Sequence, residues 1–303
     1  GASAASAASA LRLPMAPVVL PGSRVLDVTA ARSGRVYRLM IWTPTTPPPP
    51  SGYPTVYVTD GNAVFGTVRE VIDVRSRVRR TSGLVPAVVV AIGYPTDDPY
   101  DIVRRSYDLT PPSEAPSMPP RPNGEPWPPL GGADEFLDFI EDEVKPLVAG
   151  IVPVDPDREV LMGHSFGGLF ALYTLFTRPD AFDVYVANSP SIWFDDSMLL
   201  DEAAGFVART RAEPVDASLF LAVGELEQVL TSTEGADPEA DARLSWKARN
   251  RMVDNAREMA GQLAEADGLS VEFRIFEGED HSSVIPAATS RGLSFALRPE
   301  IGK

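Results

Sequence analysis

The chain has 303 residues, 44% of them hydrophobic and 23% charged, which is ordinary globular content and enough for one large core or two modest ones. A formal net charge of −15 opposes any polyanionic partner and argues against nucleic acid as a ligand. The absence of cysteine excludes a disulfide scaffold and any thiolate metal site, and no apolar run approaches the roughly 20 residues of a membrane-spanning helix.

Residues 1–10 contain only Gly, Ala and Ser. They read as a flexible tether, over about 1–20, ahead of a single domain at 21–303, and such a start inclines toward an exported protein. Arg24–Ala31 and Val36–Trp42 alternate apolar and polar residues around Ser33-Gly34, which predicts an antiparallel hairpin at a sheet edge. Thr43–Pro54, with prolines at 47 to 50, predicts an extended connection. Short apolar runs at 55–58, 87–92, 159–162, 184–187, 218–223 and 271–276 have the character of buried parallel strands. Helical patterns cover 133–148, 167–176, 244–266 and about 285–297. Strands alternating with helices predict an α/β fold with a mostly parallel central sheet and helices on both faces. A second Pro-rich stretch, 111–130, interrupts the alternation and reads as a long ordered loop or lid, or as a surface excursion without a role.

The segment Val160–Leu172 places a GxSxG pentapeptide, Gly163-His164-Ser165-Phe166-Gly167, between a strand-like and a helix-like run. Glycines at both ends permit a sharp strand-to-helix turn that exposes Ser165 Oγ, and the following helix aims its N-terminal N–H groups at the same place. A bare pentapeptide of this kind arises by chance in many chains, so its context decides. A serine nucleophile requires an imidazole base and a carboxylate to orient it. There are two histidines, and His164 sits inside the turn with its side chain directed away from the nucleophile. His281, in a loop after the last strand-like run, is therefore the expected base. The acid is expected after the strand at 218–223, in Gly224-Glu225-Leu226-Glu227-Gln228, where the spacing favours Glu227 over Glu225. Glu279 and Asp280 are weaker candidates, because their loop would have to fold back on itself. The oxyanion is expected to be held by the backbone N–H of Phe166 and by one from Thr59-Asp60-Gly61-Asn62, with Asn62 preferred to Gly61. His164, Phe166 and Phe170 otherwise read as packing or pocket-lining side chains.

Several segments together carry a family resemblance: YPTVYVTDG at 53–61, AIGYP at 91–95, RRSYDLTP at 104–111, GHSFGG at 163–168, SPSIW at 189–193 and GEDHSSVIP at 278–286. From about Tyr53 to the last helix, the chain resembles the putative-esterase family of α/β-hydrolases. Siderophore trilactone esterases are nearest in pattern, and esterase D, feruloyl esterases and bacterial mycolyltransferases are more distant. The resemblance implies an α/β-hydrolase fold and a serine esterase working on a small-molecule ester without metal or cofactor. It also implies that Arg104 or Arg105 binds a carboxylate or catecholate and that Trp193 packs against an acyl or aryl group; otherwise an arginine serves in a structural ion pair and Trp193 in the core. The strong acidity and the long Pro-rich segment depart from the family pattern. An acyltransferase, in which an alcohol replaces water, and a non-catalytic binding module on the same fold are the alternative readings.

Overall fold

The computed structural model describes residues 14–299; of the expected tether, residues 1–13 lie outside the described residues, and 14–20 are exposed without regular structure. β1 (Ser23–Thr29) and β2 (Val36–Trp42) pair antiparallel, with Thr29 opposite Val36. Their turn passes through Gly34 at φ +71°, a conformation that favours glycine. β2 lies antiparallel to β4 (Val88–Gly93). β3 (Tyr53–Val58), β4, β5 (Val154–His164), β6 (Val184–Asn188), β7 (Ala217–Gly224) and β8 (Leu269–Phe276) are mutually parallel. The sheet order is β1-β2-β4-β3-β5-β6-β7-β8. Every residue of β3 and β4 is buried, which is why these strands read as unbroken apolar runs instead of alternating ones.

The order reverses at β3: β4 lies on one side of it and β5 on the other. Chain crossings on opposite faces leave a crevice at the carboxyl ends of β3 and β5, the usual ligand position in open parallel sheets. Each face has its own core, one containing Phe136, Phe170, Phe182 and Tyr57, the other Val68, Ile72, Phe220 and Phe295. Side chains of this size contribute roughly 1.5–3 kcal/mol each when fully buried.

Besides two four-residue helices, three were not legible as helices from composition: Gly61–Arg77, Ile102–Asp108 and Phe194–Ala212, the last interrupted near its start by left-handed backbone at Asp195, Asp196 and Ser197. The first buries Val64, Val68 and Ile72 at four-residue spacing, but its valines and glycine disguise it locally. The expected helix at 133–148 runs as Ala133–Phe139, a π turn at Ile140–Val144 and Lys145–Ile151. Pro146 has no N–H for an α-helical bond to Asp142, and the Lys145 N–H reaches back to Ile140 O instead. The single helix expected over 244–266 is two, Ala240–Asn250 and Met252–Leu263, separated by Arg251 in the left-handed region at φ +45°. The Arg251 guanidinium bonds Asn255 Oδ1 at 2.9 Å and Glu258 Oε1 at 2.7 Å, fastening the break to the second helix.

The Pro-rich segment forms neither helix nor strand but is tied down. Trp127 Nε1 donates to Pro119 O at 2.8 Å, Arg121 donates to Pro126 O at 2.9 Å, and Ser117 N donates to Asp195 Oδ1 at 2.7 Å.

Candidate active site

Ser165 sits between β5 and the helix Phe166–Thr177 at φ +62° and ψ −118°, a conformation that costs a non-glycine residue about 1–3 kcal/mol. The flanking glycines are required by contact. A Cβ on Gly163 would lie 2.2 Å from Gly167 O, and one on Gly167 would lie 2.3 Å from Thr59 Oγ1. The turn can close only because both positions are bare. Its backbone is pinned by Ser165 N donating to Asn188 O at 3.0 Å and Ser191 N donating to Ser165 O at 3.1 Å.

Ser165 Oγ lies 3.1 Å from His281 Nε2 and 3.3 Å from Ser191 Oγ. His281 Nδ1 is in turn hydrogen-bonded to Glu227 Oε1. The other carboxylate oxygen, Glu227 Oε2, accepts from Ser189 Oγ and from Gly224 N, each at 2.6 Å. Glu227 is 3% exposed, so these donors replace its water shell, while the His281 side chain is 46% exposed and faces a cavity. The loops carrying acid and imidazole touch directly. Leu226 N donates to Glu279 O at 3.0 Å, and a Cβ on Gly224 would stand 2.4 Å from that same carbonyl.

Asp280 braces the imidazole loop by accepting from Ser282 N and Ser283 N at 2.8 Å each. Those backbone bonds hold its carboxyl below the usual range. Glu225 accepts from Gly278 N at 2.9 Å, so of the two competing glutamates it is Glu227 that contacts His281.

Phe166 opens the helix after Ser165, so its N–H lies at the positive end of the helix. Asn62 opens onto a different set of contacts. Its Oδ1 accepts from Tyr94 N, and its Nδ2 donates to Tyr94 O and Thr96 O, all at 2.9 Å. The side chain is thereby fixed to the end of β4, leaving the backbone as the part of Asn62 available for the role expected of it.

The two arginines are not in the cavity over Ser165. Arg105 is buried in a two-pronged ion pair with Asp60, at 2.8 and 2.9 Å, the structural arrangement expected as the alternative to anion binding. Arg104 donates to Val36 O at 2.9 Å, and its guanidinium stacks on Tyr37 and Tyr94. Trp193 does line the cavity, which has a volume of about 270 Å³. Its other walls include Trp246, Arg243, Lys247 and Pro122, residues that sequence reasoning missed. Trp127, from the Pro-rich segment, packs on both Trp193 and Trp246, with ring centroids 5.8 and 6.4 Å away. Lys247 Nζ donates to Leu226 O at 3.0 Å, Val229 O at 2.7 Å and Glu234 Oε2 at 2.7 Å, tying the helix that carries Trp246 to the turn that carries Glu227. A larger cavity of about 470 Å³ lies at the opposite strand ends beside Asp157, Asp183 and Asp216, away from both histidines.

Residues 30–268 match the family model described as putative esterase. The chain is 40% identical over 283 residues to the ferri-bacillibactin esterase BesA of Bacillus subtilis, covering 93% of this chain and 91% of that one. It is 42% identical over 248 residues to the siderophore triacetylfusarinine C esterase of Aspergillus fumigatus, covering 80% of each. Among solved structures, the siderophore hydrolase EstA from Aspergillus nidulans superposes with a TM-score of 0.82 at 36% identity, over 93% of this chain and 97% of that one.

Proposed function

The chain belongs to the putative-esterase family of α/β-hydrolases and is a carboxylic ester hydrolase, and from that premise we propose that it cleaves siderophore-type lactones through an acyl-enzyme on Ser165. The observation that carries the reading is the hydrogen-bonded run Ser165–His281–Glu227 at the foot of a tryptophan-lined cavity.

In this reading Ser165 Oγ attacks the ester carbonyl carbon while its proton passes to His281 Nε2. Glu227 accepts from Nδ1–H, which fixes the tautomer and offsets the imidazolium charge. The N–H groups of Phe166 and Asn62 hold the tetrahedral oxyanion. Collapse breaks the ester C–O bond, and the departing alkoxide takes the proton from His281. Water then gives a proton to His281 and attacks the acyl carbon, and Ser165 is restored as the acid leaves. The scheme draws on no metal or cofactor.

The substrate class rests on two supports. Relatives at 40% and 42% identity are named for the esters of siderophores. Trp193 and Trp246 offer flat apolar walls for aryl or acyl arms, and Arg243 brings a guanidinium to the cavity of an otherwise acidic chain. The test is a panel of short-chain p-nitrophenyl esters, feruloyl esters and macrocyclic trilactones, run on wild type and Ser165→Ala. Wild type should open the trilactone with the highest kcat/KM, and the variant should be inactive on all. A wild type confined to short acyl esters overturns the substrate class, and an active variant overturns the nucleophile.

A further inference from the structure

Behind Ser165, between the carboxyl ends of β3, β5 and β6 and the helix Val284–Ala296, lies a pocket of about 10 Å³. Its walls include Thr59, His164 and Asn188. Each of these contributes one buried polar atom that finds no partner among the described residues: Thr59 Oγ1, His164 Nδ1 and Asn188 Oδ1. Buried polar groups are rarely left this way, and three on residues lining one small space point to a common partner. A volume of that size admits about one water molecule, which commonly makes about three hydrogen bonds in such a place.

One water can satisfy all three of these unpartnered atoms. Thr59 can donate its hydroxyl proton to the water oxygen, and the water can donate its two protons to His164 Nδ1 and Asn188 Oδ1. This requires His164 to be neutral with its proton on Nε2. Burial, helped by repulsion from His281 and Arg105, holds the His164 pKa far below the ordinary histidine value, with the His281 backbone beside the ring opposing that shift. The two imidazoles also pack face to face at an angle, with centroids 4.6 Å apart and planes 38° apart. His164 and Asn188 are paired across β5 and β6, while Thr59 leads into the turn bearing Asn62 and touches the space where a Gly167 side chain would stand.

We infer that this pocket is a binding site for a single water molecule and that His164, anchored through it to Thr59 and Asn188, is the positioning residue for His281. The water fixes one edge of the His164 ring; the other edge and the ring face hold the His281 backbone and imidazole in line with Ser165. The chain therefore uses both of its histidines, one for proton transfer and one to aim it. This role rests on the Ser165–His281 reading above.

Two measurements test it. A high-resolution crystal structure should show one ordered water within hydrogen-bond distance of Thr59 Oγ1, His164 Nδ1 and Asn188 Oδ1; a pocket that is dry, or closed by a side chain, overturns the site. Kinetics on a p-nitrophenyl ester should show His164→Leu lowering kcat by about 10- to 100-fold, the scale of a small misalignment of reacting groups, with KM within about twofold of wild type. His164→Gln keeps an N–H in reach of the His281 carbonyl and should recover most of that loss. Wild-type kcat in the Leu variant, or equal losses in Leu and Gln, overturns the positioning role. Should the Leu variant not fold, Thr59→Val decides: a severalfold fall in kcat at unchanged KM supports the relay, and wild-type kcat overturns it. Ser165→Ala, run beside them, separates this failure from failure of the parent reading, because only the latter leaves that variant active.

Discussion

The Arg105 guanidinium grips the Asp60 carboxylate with two parallel hydrogen bonds, Nε to Oδ1 at 2.8 Å and Nη2 to Oδ2 at 2.9 Å, directly behind the turn that carries Asn62. Asp60 stands in the left-handed region at φ +53°, and both side chains are nearly inaccessible, at 11% and 5% exposure. The pair fixes the backbone of the turn from which an oxyanion donor is expected. Removing one member leaves a buried charge without its counterpart, so Arg105→Ala should lose about 3–5 kcal/mol of stability in urea unfolding. Arg105→Lys should lose less but still measurably, since an ammonium cannot reproduce the two-pronged geometry. An Arg105→Ala protein as stable as wild type would contradict a structural role for the pair.

Glu227 and Glu225 should separate cleanly by kinetics. Glu227 meets His281 Nδ1 from a buried position with two further donors on its other oxygen, whereas Glu225 accepts only from Gly278 N at the surface of the loop. Glu227→Gln keeps the shape but favours the wrong imidazole tautomer, and kcat should fall by about 10³- to 10⁴-fold. Glu225→Gln should stay within about threefold of wild type, because it alters a bond on the loop and not on the ring. The order reversed, with Glu225→Gln the damaged variant, would reassign the acid.

The parts of the site that were legible in the sequence are those enforced by backbone geometry or by scarcity. Gly163 and Gly167 announce the turn because any Cβ there collides with neighbouring atoms, and His281 was singled out because His164 is the only other imidazole. The strands were legible because buried parallel strands are continuous apolar runs. What escaped was whatever depends on packing between distant segments. Trp127 and Trp246 come from a Pro-rich segment and from a helix after β7, and nothing local says that their rings meet. Arg105 matched a family motif suggestive of anion binding, yet its partner, Asp60, is 45 residues earlier and already carries the opposite charge. The break at Arg251 was hidden because neither Gly nor Pro stands beside it to mark the turn.

The tryptophan walls should govern substrate choice more than chemistry. Trp246→Ala opens one side of the cavity and removes the ring contacts at 5.4 Å to Trp193 and 6.4 Å to Trp127. Such contacts are worth about 0.5–1.5 kcal/mol per aromatic pair, so KM for a feruloyl ester should rise by roughly 3- to 10-fold. The kcat for p-nitrophenyl acetate, which is too small to need that wall, should change little. A uniform fall in kcat on both esters would show instead that the ring supports the catalytic loops.

Lys247 makes the opposite prediction, because its three hydrogen bonds run to the backbone of the Glu227 turn and to Glu234. Lys247→Met preserves the length of the side chain but frees Leu226 O and Val229 O from their shared donor. Both esters should then lose kcat together, by about tenfold if the Glu227 turn shifts by a fraction of an ångström. Loss confined to the aryl ester would place Lys247 with the substrate instead of with the acid.

Glu159 gives the pH dependence of stability a definite sign. It lies in the interior beside Lys145, with a contact at 3.3 Å, and burial raises its pKa to about 7 despite that cation, with Glu141 and Asp183 adding to the rise. A carboxyl whose pKa is higher folded than unfolded binds more protons in the native state between the two values, so stability falls as pH rises from about 4.5 through 7. Partial solvent access reduces the amplitude, leaving about 1–2 kcal/mol from this group between pH 5 and pH 8. Glu159→Gln removes the titration while retaining a polar neighbour for Lys145, which still has Glu141 at 2.5 Å. The variant should therefore be more stable than wild type at pH 8, and urea unfolding across pH 5–8 should show a flatter profile. A variant that follows the wild-type slope would assign that slope to another group, foremost Asp108, whose pKa burial lifts to about 6.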